Sequence, residues 1–252
     1  MSLRTRVVNK LVRAVKKEAM TRLDVLGRDM EPEFAGLLAD SHRYTMTSPE
    51  RMYALYKAVE YIVKNRIPGD LVECGVWKGG SAMMMALSLA HFGDTSRTIY
   101  LYDTFAGMPE PGELDRDWKG EDSAAKWAEM QRDGHNEWCY SPVDEVRRNV
   151  ESTGYPKDQV KYIQGKVEDT IPGTLPAGTA LLRLDTDWYA STRHEMEHLY
   201  PGLAPGGVLV LDDYGTWQGA RQAVDEYFAE RGTLLLLNRI DATGRIAIKC
   251  HP

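Results

Sequence analysis

The chain reads as an α/β protein on a doubly wound, mostly parallel β-sheet, and three observations carry that reading. Short apolar runs recur at 70–75 (DLVECG), 98–103 (TIYLYD), 160–165 (VKYIQG), 180–185 (ALLRLD) and 208–213 (VLVLDD). They are nearly continuous in apolar residues, as strands buried on both faces are. The gaps between them are long enough for crossover helices, which parallel strands require. Finally, Asp241-Ala-Thr-Gly244 separates 234–240 from 245–250, the kind of turn that joins antiparallel strands.

Each element has local grounds. Ser48-Pro49, an N-cap followed by proline at the first helical position, opens a helix to about residue 66, and Pro68-Gly69 stops it. The first strand ends in glycine, with a helix from 81 to about 92 behind it. After the second strand, 106–140 is a polar stretch carrying Trp118, Trp127, Trp138 and Tyr140 without a clean period. It exceeds an ordinary connection in length and is expected to be a lid or acceptor-binding segment. Ser141-Pro-Val-Asp144 predicts a capping box and a helix to about 152. Helices are expected at roughly 191–203 and 217–231, between the later strands.

Ahead of this domain, taken as 45–252, lies an expected helical arm, 1–44. Its first seventeen residues carry Arg4, Arg6, Lys10, Arg13, Lys16 and Lys17 with no acid, and Val8, Leu11, Val12 and Val15 share one helical face. We read it as an arm packing on its own or a neighbouring subunit, which predicts a homo-oligomer. The competing reading is an amphipathic helix on a membrane surface.

Composition narrows the function classes. With 252 residues, 31 Lys plus Arg and 37 Asp plus Glu, the formal charge is −6, which argues against a nucleic-acid partner because phosphate contacts need a basic face. Cys74, Cys139 and Cys250 are scattered, form no CxxC metal site and fit a reduced cytoplasm. No apolar run approaches the about 20 residues of a membrane span. A cytoplasmic domain acting on a small molecule is the expectation.

In a doubly wound sheet, ligands sit beyond the carboxyl ends of the strands. Glu73-Cys-Gly75-Val76-Trp77-Lys-Gly-Gly-Ser81 follows the first strand, and Asp103 ends the second. Glycines let a backbone approach a ligand closely, the next helix offers N-terminal amides, and an acid at Asp103 can accept ribose hydroxyls. The loop is neither GxGxxG nor a phosphate loop, and an acid at its mouth suits a cationic ligand better than a pyrophosphate. At the fourth and fifth strand ends stand Asp185-Thr-Asp187 and Asp212-Asp213. Four carboxylates converging there would repel unless protonated or holding a cation, and oxygen ligands favour Mg²⁺, Mn²⁺ or Ca²⁺ over zinc.

These residues resemble the macrocin-type O-methyltransferase family, S-adenosylmethionine-dependent enzymes that methylate sugar or phenolic hydroxyls of bacterial natural products. The stretches that carry the resemblance are 71–82 (LVECGVWKGGSA), 101–111 (LYDTFAGMPEP), 182–192 (LRLDTDWYAST) and 201–228. The resemblance implies a Rossmann-like sheet of seven strands with the last antiparallel, and a bound Mg²⁺ or Mn²⁺. It puts metal ligands on Asp185, Asp212 and Asp213 and the general base on Asp187. Cofactor contacts fall on Thr45, Met46, Glu73, Gly75, Val76, Trp77, Ser81, Asp103, Thr104 and Asp185, with Ser141, Val167 and Glu168 further along. His135, in the irregular segment, is a second candidate base, with Tyr189 behind it. The rival readings are an NAD(P)-dependent oxidoreductase, against which Glu73 and the four acids speak, a metal-dependent hydrolase using the same acids, and a silent subunit that keeps the cofactor pocket.

Overall fold

The structure is a computed structural model and describes residues 29–250. Contacts divide the chain into two units, 1–36 and 37–252. Helix α1 (Pro32–Ser41) runs across that division, and most of the expected N-terminal arm, including its basic stretch, lies outside the described residues. All that follows concerns the second unit.

There α2 (Pro49–Lys64) leads into β1 (Asp70–Cys74), α3 (Gly80–His91) and β2 (Ile99–Asp103). The long segment after β2 holds α4 (Ala124–Met130) and a small hairpin of β3 (Gln131–Arg132) and β4 (His135–Asn136). The chain continues through α5 (Val143–Glu151), β5 (Val160–Gln164), α6 (Val167–Thr170), β6 (Thr179–Leu184), α7 (Tyr189–His198), β7 (Leu203–Leu211) and α8 (Gln218–Glu230). It closes with β8 (Asn238–Arg239) and β9 (Arg245–Ile248).

Seven strands form one sheet in the order β5-β2-β1-β6-β7-β9-β8. The first five are parallel and β9 is antiparallel to both of its neighbours, so the expected mostly parallel sheet with an antiparallel last strand is what the chain adopts. From β1 the chain steps outward to β2 and β5, then crosses back to β6 and β7. Right-handed crossovers therefore put α3 and α5 on one face and α7 and α8 on the other.

Sequence pattern explains how each face is filled. On α2, Met52, Leu55, Tyr56, Val59 and Ile62 recur at three- and four-residue steps and are buried. Its N-cap is Ser48, whose hydroxyl accepts the Arg51 amide, and Pro49 follows. On the opposite face Val72, Leu182, Leu184, Leu209 and Leu211 pack against Met196, Leu199, Val224 and Phe228. Each such aliphatic side chain contributes about 1.5–3 kcal/mol by leaving water.

Three elements differ from the sequence expectation. Pro142, not Ser141, caps α5, so the Ser141 hydroxyl is buried without a hydrogen-bond partner instead of closing a capping box. Helix α7 ends at His198, and a short 3-10 turn (Tyr200–Gly202) carries the chain through Pro201, which cannot continue an α-helix. Residues 234–237 alternate, Leu234 and Leu236 outward while Leu235 and Leu237 pack on the core. Ladder pairing nevertheless starts only at Asn238, so the closing strand is shorter than its apolar run.

Candidate active site

The strand order reverses between β1 and β6, and a cleft of about 290 Å³ opens beyond their carboxyl ends. Thr45 and Met46 line it from one side, Gly75, Val76, Trp77 and Ser81 from the loop after β1, Asp103 and Thr104 from the end of β2, and Val167 and Glu168 from α6. The floor and far wall hold Asp185, Asp187, Asp212 and Asp213. Four of the residues singled out from the sequence do not reach it. Glu73 is buried in β1 beneath the cleft. Ser141 is enclosed elsewhere, and His135 sits on the β3–β4 hairpin with its ring against Tyr140, centroids 4.2 Å apart. Tyr189 also turns away, its hydroxyl donating to Glu226 Oε2 at 2.7 Å.

The glycine loop is shaped by backbone proximity. Gly75 has φ +81, and a Cβ there would lie 2.0 Å from the carbonyl oxygen of Asp185, so no other residue fits. The two chain segments are joined just before that point, where the Asp185 amide donates to the Cys74 carbonyl at 2.8 Å. Asp103 clasps the loop from the other side. Its Oδ2 accepts the amides of Val76 (2.6 Å) and Trp77 (3.2 Å), and its Oδ1 accepts the amide of Phe105 at 2.7 Å. Burial nevertheless holds its pKa above the ordinary carboxylate value.

Beneath the acids lies a residue that the sequence reading passed over. Arg183 is fully buried in β6, one of the largest enclosed side chains in the protein. Register sets Glu73 directly opposite it, and the alternation of the strand brings Asp185 to the same face. Its Nη1 donates to Glu73 Oε1 (2.6 Å) and Asp185 Oδ2 (2.7 Å), its Nη2 to Asp212 Oδ1 (2.6 Å) and Thr47 Oγ1 (3.1 Å). The second oxygen of Asp212 is bound by Arg51 of α2, whose Nε lies 3.0 Å from Asp241. A buried cation needs partners, so the arginine inside the apolar run ALLRLD was the available signal.

The carboxylates thus fall into two sets. Both oxygens of Asp212 are occupied by guanidinium groups, whereas Asp185, Asp187 and Asp213 each bring an oxygen within 4.8 Å of the others. The carboxylate that joins Asp185 and Asp213 is therefore Asp187 rather than Asp212. Asp213 Oδ2 is buried without a hydrogen-bond partner. Burial raises the pKa of Asp185 and Asp213 well above the usual carboxylate range and pushes that of Asp187 up to about 7. Asp187 also holds φ +70, a left-handed conformation that costs a non-glycine residue about 1–3 kcal/mol unless its surroundings impose it. A crowded, all-oxygen, partly unpartnered set of this kind fits a hard divalent cation.

Above the acids stands an aromatic wall. Trp188 packs edge-on against Trp138 and Trp217, with centroids 5.6 and 5.1 Å away, and Trp138 and Trp217 line the cleft. The segment after β2 is fixed to this wall. Asp115 accepts the amides of Tyr189 and Gly112, each at 2.7 Å, and Trp188 Nε1 donates to the Pro109 carbonyl at 2.9 Å.

The sequence pattern of the macrocin-O-methyltransferase (TylF) family matches residues 4–247. The 8-demethyl-8-(2,3-dimethoxy-alpha-L-rhamnosyl)-tetracenomycin-C 4'-O-methyltransferase of Streptomyces olivaceus is 38% identical over 216 residues, 86% of this chain and 79% of that protein. The demethyldecarbamoylnovobiocin O-methyltransferase of Streptomyces niveus is 35% identical over 81% of this chain and 75% of that protein. Among solved structures, that of the O-methyltransferase NovP superposes with a TM-score of 0.72 at 34% identity, covering 82% of this chain and 83% of that one. These relatives leave the dehydrogenase and hydrolase readings without support.

Proposed function

The chain belongs to the macrocin-O-methyltransferase family, and from that premise we propose that it methylates a sugar or phenolic hydroxyl of a natural product, with Asp187 as general base beside a divalent cation. The methyl donor of such an enzyme is S-adenosylmethionine, whose methyl carbon is attacked in line by the acceptor oxygen as its bond to the sulfonium sulfur breaks and S-adenosylhomocysteine leaves. The observation that carries the finer reading is the adjacency, in one cleft, of the Gly75–Ser81 loop and the Asp185, Asp187 and Asp213 carboxylates.

The residues divide the work between them. Gly75 and the amides that Asp103 holds shape the loop against which the donor lies, and Asp103 and Thr104 face its ribose. Asp185 and Asp213 would hold the cation, with acceptor oxygens and water filling its remaining positions. Such an ion, when bound, lowers the pKa of a hydroxyl next to it. Asp187 then accepts the hydroxyl proton on its carboxylate, a contribution of about 10²- to 10⁴-fold. Asp212 acts at one remove, through Arg183, by fixing Asp185. The tryptophan wall excludes water and presents apolar rings to the acceptor.

The test is methyl transfer from S-adenosylmethionine to 4-methylumbelliferyl α-L-rhamnoside and to catechol, with added Mg²⁺ or with EDTA. We expect a methyl ether on one of them in Mg²⁺ and loss of turnover in EDTA. Full turnover in EDTA overturns the role of the metal. Neither acceptor being methylated, by protein that still binds S-adenosylhomocysteine, overturns the acceptor class.

A further inference from the structure

A trough of about 480 Å³ lies beside the cleft and shares Thr216 and Trp217 with it. Its lining includes Trp118, which is 67% exposed, and Tyr214. An exposed indole at the mouth of an active site is unusual enough to need a reason, since large apolar side chains on a surface mark contact sites when they gather. This one is held in place. Asp117 pairs with Trp217 in an antiparallel bridge, and Gln218 Nε2 donates to the Asp117 carbonyl at 2.9 Å, which anchors the backbone of Trp118 beside the cleft's aromatic wall.

Several polar groups of the trough pair with one another. Tyr214 OH donates to Asp225 Oδ1 at 2.6 Å, Gln222 Nε2 to Glu226 Oε1 at 2.7 Å, and the Arg221 guanidinium lies over the Tyr214 ring, 5.4 Å from its centroid. Trp118 and Trp217 supply ring surface, with Lys119 Nζ 5.3 Å from the Trp118 centroid and Arg245 5.0 Å from that of Tyr214. Exposed rings stack on flat, weakly hydrated groups. The cleft differs in the four carboxylates, Asp185, Asp187, Asp212 and Asp213, at its floor and far wall.

We propose that this trough is a second acceptor subsite, which takes the flat, weakly hydrated aglycone of a glycoside whose sugar lies in the cleft. The proposal rests on the reading that a sugar hydroxyl is the acceptor, and it adds where the rest of the molecule goes. A glycoside spanning both would pass over Trp217, the side chain common to the two cavities.

The experiment measures binding of 4-methylumbelliferyl α-L-rhamnoside and methyl α-L-rhamnoside by calorimetry. The full chain is saturated with S-adenosylhomocysteine and Mg²⁺. The aryl glycoside is expected to bind tighter by roughly three- to tenfold, the gain of one aromatic contact. Trp118→Ala should abolish that preference and leave the methyl glycoside unaffected, and Trp118→Phe should keep most of it. Equal affinity of the two glycosides for the wild type, or an undiminished preference in Trp118→Ala, overturns the subsite. If neither glycoside binds, the sugar-acceptor reading fails first and takes the subsite with it.

Discussion

Arg183 sets the charge balance of the site. Three carboxylates, Glu73, Asp185 and Asp212, converge on one enclosed guanidinium, and burial still leaves Glu73 with a pKa of about 7. Removing one partner of such a group strands the others, which costs about 3–5 kcal/mol. Arg183→Met should therefore lower unfolding stability by that order in urea melts. Asp187 is a different case, because its proposed role is in turnover. Asp187→Asn should cut kcat by about 10²- to 10⁴-fold while the Kd for S-adenosylhomocysteine stays near the wild-type value, and equal loss of both would remove it from the base position. Glu195 of α7, which packs against Thr186 between Asp185 and Asp187, provides a pH test. Its carboxyl is completely buried beside Thr186 and Cys74, with neither oxygen in a well-formed hydrogen bond, and burial holds its pKa well above 4.5. Below about pH 4.5 both folded and unfolded chains keep its proton. Above that the unfolded chain releases it first, so stability falls as pH rises toward the folded value, at up to about 1.4 kcal/mol per pH unit. Glu195→Gln should remove that slope, so its gain in stability over wild type should grow between pH 5 and pH 7.

At the scale of elements, what the sequence made legible and what it hid follow from the range of the forces involved. Strands β1, β2, β6 and β7 could be read because strands buried on both faces must be nearly all apolar, and α2 because its cap and stripe are local. The glycine loop and the acids at the strand ends were legible for the same reason, since strand ends fix where they project. The segment after β2 was not, because its order comes from contacts distant in sequence. Asp115 reaches Tyr189 N, Arg116 O accepts the Gln218 amide at 2.9 Å, and Gly219 must lack a side chain, since a Cβ there would lie 2.2 Å from Asp115 Oδ1. Nothing in the pattern of 106–140 announces those partners, and the expected lid is in this structure sutured to the loops after β6 and β7. Asp115 also bonds two residues beyond the left-handed turn at Asp187, and so helps impose that conformation. Asp115→Ala takes the acceptor from the exposed Gly112 amide, which water can satisfy, and from the half-buried Tyr189 amide, at up to about 1–3 kcal/mol for the latter. Hydrogen exchange should quicken at 109–117 and at the start of α7, with β1 and β6 unchanged; uniform acceleration would mean that the segment is no separate unit.

For the molecule as a whole, the cleft spans the seam between the β1-β2-β5 half of the sheet and the β6-β7-β9-β8 half. A donor lying against the Gly75 loop touches residues of both halves, and a cation on Asp185 and Asp213 joins β6 to β7. On the proposed reading both ligands would need that seam to be formed, so each should add RT ln(1 + [L]/Kd) to folding stability, about 2.7 kcal/mol at a hundred times Kd. For a chain of this size that is a rise in Tm of roughly 5–10 °C for each ligand. The charge pattern says how the two combine. A cation there would relieve repulsion among Asp185, Asp187 and Asp213, which burial has already pushed toward protonation, so its effect should be greatest above neutral pH and fade as the acids protonate. S-adenosylhomocysteine lacks the sulfonium charge and should stabilise to a similar degree with or without the metal. Tm measured with S-adenosylhomocysteine and Mg²⁺, separately and together, at pH 6 and pH 8, should show two nearly additive increments, with only the Mg²⁺ increment shrinking at the lower pH. A Mg²⁺ increment that is absent at both pH values, or that survives in Asp213→Ala, would mean that these carboxylates hold no ion and are stabilised by their own protons.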